Sequence, residues 1–289
     1  MEQILWRNRA GHKSTSKMEL SILGAHDLES KNAHPTCLLI DERLAIDAGG
    51  LASSLTLSQQ QKIRAVLLTH HHLDHTRDLP TLGFNVILWQ GQVTVHALPQ
   101  TFDIIVPCLL DGRIYVDLLK NPTLVLKGAM CSQNISPEEE KPPLKLCEIE
   151  LYKKENIAGY EVLPVPVNHS VPAVGYLVTS SAGNSLFYTG DTGPGLSDCW
   201  SHINPQLIII EATAPSKFTE ELAKRGHLSP QSLKEELNQF RKINGYLPRV
   251  IVIHRALPYE QQIKEEIEQV AIELNADIGL GYEGMTISI

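Results

Sequence analysis

Apolar and polar positions along the chain fall into two rhythms. Continuous apolar runs stand at "RAVLLT" (Arg64–Thr69), "PQLIIIEA" (Pro205–Ala212) and "RVIVIH" (Arg249–His254). Runs of that length predict strands buried on both faces of a sheet. Between them lie stretches with apolar residues at helical spacing. "SPQSLKEELNQFRKI" puts Leu233, Leu237 and Phe240 on one face, with Ser229 placed to cap and Pro230 in the first turn. "PYEQQIKEEIEQVAIELN" predicts a second long helix, "SLTLSQQQKI" a short one, and "DLPTLGFNVILWQ" the start of another. "TCLLIDERLAIDAGG" predicts a hairpin turning at Asp41–Arg43, and "AVGYLVTSSAGNSLFYTGD" a hairpin turning at Ala182–Asn184. "VTVHAL" alternates as a strand, "YEVLPVPVNHS" is a strand feeding a loop, and "DIGLGYEGMTISI" is expected to close as a strand pair. Residues 99–130 read as short strands mixed with helix, and "SPEEEKPPLK" (Ser136–Lys145) as a charged, Pro-rich loop. Each half carries a β-rich part followed by strand–helix units, so two sheets sandwiched between helices account for the order.

Composition narrows the class without naming a function. The chain has 289 residues, 43% of them hydrophobic and 20% charged, as expected of a globular domain with a sizeable core. A net charge of -8 argues against a broad nucleic-acid-binding surface. The cysteines Cys37, Cys108, Cys131, Cys147 and Cys199 form no CxxC and are odd in number, which predicts structural thiols in a reduced, cytoplasmic protein. No apolar run has the length of a membrane span. Residues 1–17 read as a disordered, basic extension, and residues 18–289 as one domain. Met18 opens the strand-like "MELSILGA", so it is a candidate translation start.

The candidate chemistry begins in "LLTHHHLDHTRD", Leu67–Asp78, with four histidines and two aspartates in twelve residues. The stretch leaves a buried strand, where sites in α/β proteins gather. In an extended exit alternate side chains share a side. His70 and His72 then face one way, His71 faces the other as a spacer, and Asp74 and His75 return after a turn. Imidazole and carboxylate without thiolate suit first-row divalent cations. Three further polar residues follow apolar strands: His169 in "VPVNHS", Asp191 in "LFYTGDT" and His254 in "RVIVIH". Asp47 precedes Gly49–Gly50 and reads by itself as a turn residue.

With those residues in place, the chain resembles the metallo-β-lactamase superfamily of metal-dependent hydrolases, from about Met18 to Ile289. The resemblance implies a four-layer αβ/βα sandwich, two mixed sheets flanked by helices. It implies a first metal held by His70, His72 and His169, and a second held by Asp74, His75 and His254. Asp191 would bridge the two, and Asp47 would orient a ligand histidine. Zinc is the expected ion, with manganese and iron as alternatives. Two such cations roughly 3.5–4 Å apart lower the pKa of a shared water.

"RGHLSPQSL" narrows the reaction. His227 precedes the capped start of a helix, whose free N–H groups are expected to favour an anion. A histidine there can bind a phosphate oxygen or protonate a leaving alkoxide. This element, with the preceding "LIIIEATAPSKFTEELAK", resembles class II cyclic-nucleotide phosphodiesterases and, next, the tRNA-processing RNase Z family. The implied substrate is a small phosphodiester, a 3′,5′-cyclic nucleotide first, with Asp74 and His227 as catalytic residues. Polymeric nucleic acid is disfavoured, because "SPEEEKPPLK" is acidic and no Gly/Lys-rich arm is present. An RNase Z-like endonuclease, a lactone or thioester hydrolase, and a ligand-binding protein without catalysis are the alternatives. A homo-oligomer stays open. Two departures stand at "TRDLPTLG". Asp78 takes the place of a customary glycine, with Gly83 further on, and Arg77 is expected to pair with Asp78 rather than face a phosphate.

Overall fold

The computed structural model describes residues 17–120 and 141–289. Two seven-stranded sheets stack face to face with helices outside both. In the first sheet, β1 (Glu19–Gly24), β2 (Cys37–Ile40) and β3 (Leu44–Ile46) are antiparallel, and β4 (Ala65–Leu67), β5 (Val93–Ala97) and β6 (Leu144–Glu148) continue in parallel. The second sheet repeats the plan. There β7 (Glu155–Ile157), β8 (Tyr160–Pro166), β9 (Val174–Thr179) and β10 (Ser185–Tyr188) are antiparallel, and β11 (Leu207–Glu211), β12 (Arg249–Ile253) and β13 (Ile278–Leu280) are parallel. The two-sheet sandwich and its internal rhythm are those the sequence predicted.

The period-2 geometry of a strand explains the layers. In β11, Leu207 and Ile209 point between the sheets, while Ile208 and Ile210 pack under the helices of the second sheet. In β4, Ala65 and Leu67 join the inter-sheet core and Val66 joins the outer core. Apolar residues on both faces are what give these strands their unbroken hydrophobic runs.

Among the described residues the helices are α1 (Leu57–Gln60), α2 (Leu73–Thr76), α3 (Leu79–Leu88), α4 (Pro99–Ile105), α5 (Ser197–Ser201), α6 (Thr219–Arg225), α7 (Pro230–Asn244) and α8 (Glu260–Leu274). In α7, Ser229 caps the first turn and Leu233, Leu237 and Phe240 are fully buried, as their spacing requires. Such a cap contributes about 1 kcal/mol.

Three local expectations need correction. Ile278–Leu280 and Thr286–Ser288 (β14) do not pair with each other: β13 extends the second sheet and β14 pairs with β1 in the first. The chain crosses between sheets at Gly281, where a Cβ would meet Ile22 and Ile253 side chains at 2.7 Å. Leu144 and Lys145, expected in a loop, begin β6, because Val93 and Thr94 offer them a parallel ladder. Residues 99–120 hold α4 and a π-helical turn, Val106–Leu110, and no strand beyond an isolated bridge between Asp111 and Asp117. The predicted extension at 1–17 lies outside the described residues except for Lys17, as do residues 121–140. Among the described residues no helix is long and apolar enough to cross a membrane.

Candidate metal centre

The sandwich brings strand ends from both sheets to one edge. His70 and His72 follow β4, and the single turn of α2 returns Asp74 and His75 to the same place. His72 is extended (φ -59°, ψ 148°) and opens α2, its carbonyl accepting from His75 N and Thr76 Oγ1. From the second sheet, His169 follows β8, Asp191 follows β10 and His254 follows β12. Asp47 and His254 adopt left-handed backbone, φ 60° and 56°, which non-glycine residues rarely tolerate. Such conformations concentrate at sites whose surroundings over-determine them.

The side chains meet in two groups that share Asp191. His70, His72, His169 and Asp191 form one; Asp74, His75, Asp191 and His254 form the other. His75 Nε2 and His254 Nε2 lie 3.2 and 3.3 Å from Asp191 Oδ1. His254 Nε2 is also 3.3 Å from Asp74 Oδ2, and His70 Nε2 is 3.8 Å from Asp191 Oδ2. His169 Nε2 is 3.2 Å from His72 Nδ1. His71 belongs to neither group.

Three buried atoms at the centre, His70 Nε2, His75 Nε2 and Asp191 Oδ1, have no hydrogen-bond partner. Orphaned buried polar atoms are costly, and several converging on one point fit a cation that would satisfy them. The charge balance points the same way. Burial lowers the basicity of His75, yet Asp191, Asp47 and Asp74 outweigh it and raise its pKa well above the ordinary value. His254 is pushed to about 9 against its burial, by Asp191 and Asp74. Asp74 is half-buried, which disfavours its charge, but His75 and His254 hold its carboxyl at about 2. Burial together with His75 keeps His70 well below its usual value. The carboxylates thus demand positive charge at the centre. Imidazole nitrogens and carboxylate oxygens are the donors that a divalent first-row cation prefers.

Behind the cluster, two buried carboxylates fix the imidazoles. Asp47 Oδ2 accepts from His75 Nδ1 at 2.8 Å, and Asp47 Oδ1 accepts from Thr69 N at 2.8 Å. Thr69 Oγ1 donates to Asp47 and stands 3.0 Å from His70 Nδ1, placed to accept from it. Glu211 repeats the device. It accepts from His227 Nδ1 at 2.9 Å, while Thr213 Oγ1 donates to it and lies 3.1 Å from His254 Nδ1. His169 Nδ1 donates to Gly226 O at 2.8 Å. Each bond at Nδ1 sets the tautomer and turns Nε2 inward.

His227 lies beside this centre. Its ring stacks on His254 with centroids 5.5 Å apart, and both line a cavity of about 540 Å³ with His72, Asp74, Asp191 and Arg225. Its Nε2 has no hydrogen-bond partner among the described residues. Burial lowers its basicity, but Glu211 outweighs that and raises its pKa.

The anion site expected at the start of α7 is absent in the form predicted. Pro230 has no N–H, Gln231 N donates to Ser216 Oγ at 3.0 Å, and Ser232 N donates to Ser229 Oγ at 3.2 Å. With its first-turn donors occupied, the helix offers none to a phosphate. Arg77 does approach Asp78, at 3.6 Å, but Glu29 is its nearer partner. Gly83 is remote from this chemistry, packed against Leu118 and Leu144.

The sequence pattern assigned no role to Glu211, Thr69 or Thr213, although Glu211 ends a strand in the stretch that carries the resemblance. Glu211 carried a signal: a carboxylate ending the apolar run "LIII", 1% exposed, which only a functional or fully paired role sustains. The threonines carried none.

No family model and no curated protein matches the chain. Solved structures do. Unliganded yeast PDE1 superimposes with a TM-score of 0.74 at 19% identity, over 94% of this chain and 99% of that one. The metallo-beta-lactamase fold protein YhfI from Bacillus subtilis gives 0.69 at 15%, over 95% and 100%. Human tRNase Z, short form, gives 0.63 at 18%, over 94% and 99%.

Proposed function

We propose that this chain, which has the metallo-β-lactamase fold, is a metal-dependent phosphodiesterase acting on a small substrate, a 3′,5′-cyclic nucleotide first. His70, His72 and His169 would hold one cation, Asp74, His75 and His254 a second, and Asp191 would serve both. When bound, such ions neutralise charge on a phosphate oxygen and acidify a water. Zinc suits the donor set, as do manganese and iron.

The observation that carries the reading is the Glu211–His227 pair beside the cluster. A cation centre alone serves many hydrolyses. Cleavage of a phosphodiester also needs a proton for the departing alkoxide. His227 donates Nδ1–H to buried Glu211, and its Nε2 is left over on a ring that lines the same cavity. Glu211 favours the imidazolium, so Nε2 can carry a proton and give it to the leaving oxygen. Thr192 N and Leu228 N also donate to Glu211, which holds the carboxylate in place.

The test is a panel assay of metal-replete protein on bis-p-nitrophenyl phosphate, cyclic nucleotides and precursor tRNA, with metal analysis. Cleavage of a cyclic nucleotide supports the proposal, and cleavage of none of these phosphodiesters overturns it. Preferential cleavage of precursor tRNA would replace it with an RNase Z-like role. His227→Ala should reduce kcat by about 10²–10⁴-fold with metal content intact. Loss of metal from that variant would show that His227 is a ligand instead, which its proximity to Glu211 and His254 makes a real outcome.

A further inference from the structure

Two guanidinium groups line the cavity, and they differ in one respect. Arg77 is engaged by Glu29 and stands 3.6 Å from Asp78. Arg225 makes no hydrogen bond or ion pair with any described residue. An unpaired arginine on an open surface is unremarked, because water satisfies it. Arg225 is exposed too, but its backbone is fixed at the mouth of the candidate site.

The fixing comes from the backbone. Arg225 ends α6, and Gly226 follows in the left-handed conformation, φ 77°, that closes the helix. Gly226 O accepts the hydrogen bond that orients His169, and a Cβ on Gly226 would meet His169 Cα at 2.7 Å. No other residue type fits there. Residues 225, 226 and 227 therefore share one fixed stretch of backbone that carries a free guanidinium, the carbonyl that sets His169, and the imidazole held by Glu211.

Charge decides what this step is for. The cavity wall carries Asp27, Glu29, Asp74 and Asp191. Glu29 is offset by Arg77, and Asp74 and Asp191 would be taken up by the cations, but a phosphate at the rim still passes Asp27 and gains from positive charge there. A guanidinium offers two parallel donors in the geometry that phosphate oxygens match. From this we infer that Arg225 binds the anionic group of the substrate and so selects phosphate esters over neutral ones. The inference rests on the phosphodiesterase reading above. The competing role is purely structural: a cation in the last turn of a helix complements its dipole.

The experiment compares wild type, Arg225→Ala and Arg225→Lys as metal-replete full chains. Kinetics are read on anionic bis-p-nitrophenyl phosphate and on neutral p-nitrophenyl acetate. Inorganic phosphate binding is read by calorimetry, and Tm is measured for each variant. Arg225→Ala should raise KM for the phosphodiester and Kd for phosphate about tenfold while kcat stays within about threefold. The neutral ester and Tm should be unaffected, and Arg225→Lys should recover part of the loss. An unchanged phosphate Kd, an equal loss on the neutral ester, or a lower Tm with unchanged KM would each overturn the assignment. If wild type cleaves no phosphodiester, the phosphodiesterase reading fails on its own, and the calorimetric comparison still decides Arg225.

Discussion

Asp47 Oδ2 and His75 Nδ1 lie 2.8 Å apart, both fully buried, in a contact that spans 28 residues of chain. The carboxylate also holds Thr69, and through it His70, so a single aspartate orients one imidazole of each candidate metal group. Asp47→Ala should therefore weaken both cations together. Partners of this kind typically contribute 10–100-fold to metal affinity. A chelator titration followed by elemental analysis checks it, and full retention of both ions would reject the role.

His71 and His72 make a sharper contrast, being neighbours in sequence of which only His72 joins the cluster. His72 Nδ1 faces His169, whereas His71 joins neither group. His71→Ala should keep the wild-type metal stoichiometry, and His72→Ala should lose one ion per chain. Mass spectrometry under native conditions distinguishes the outcomes.

Glu211 is expected to matter more for stability than its chemistry alone suggests. It is buried and accepts from Thr192 N, Leu228 N, Thr213 Oγ1 and His227 Nδ1. Glu211→Ala leaves several buried donors unpaired, at roughly 1–3 kcal/mol each before relaxation. A fall in the denaturant midpoint and a loss of turnover should appear together. A variant as stable as wild type would show that water or a neighbour replaces the carboxylate.

Away from the cluster, Glu283 predicts an acid limb of stability. Burial raises its pKa, but hydrogen bonds from His26 and the His34 backbone outweigh that and hold it at about 2. Its unfolded value is about 4.3. The folded pKa is the lower, so the stabilisation is complete above the unfolded value and is lost as pH falls from there through about 2. Glu283→Gln should lower the denaturant midpoint at pH 7 and flatten its dependence between about pH 4 and 2. An unchanged acid limb would remove Glu283 as its source.

The residues gathered at the site were legible in the sequence because each follows an apolar strand, and strands end where the sandwich has its edge. His70, His72, Asp74, His75, His169, Asp191 and His254 all met there, as their strand-exit positions implied. The expected helix N-terminus at Ser229–Pro230 fared differently. The cap was readable, but Ser216 reaching Gln231 N was not, since nothing in the local pattern reveals a donor's partner fifteen residues away.

The sequence by itself determined the long helices, the buried strands and the candidate ligands, because hydrophobic period and capping act over a few neighbouring positions. Tertiary structure alone decided which sheet each strand joined, as the parting of β13 from β14 shows. It also decided that Asp47 and Glu211 would serve as matching anchors behind the cluster. Those contacts depend on the crossing of whole sheets, and a hydrogen bond between distant residues leaves no periodic trace in the chain.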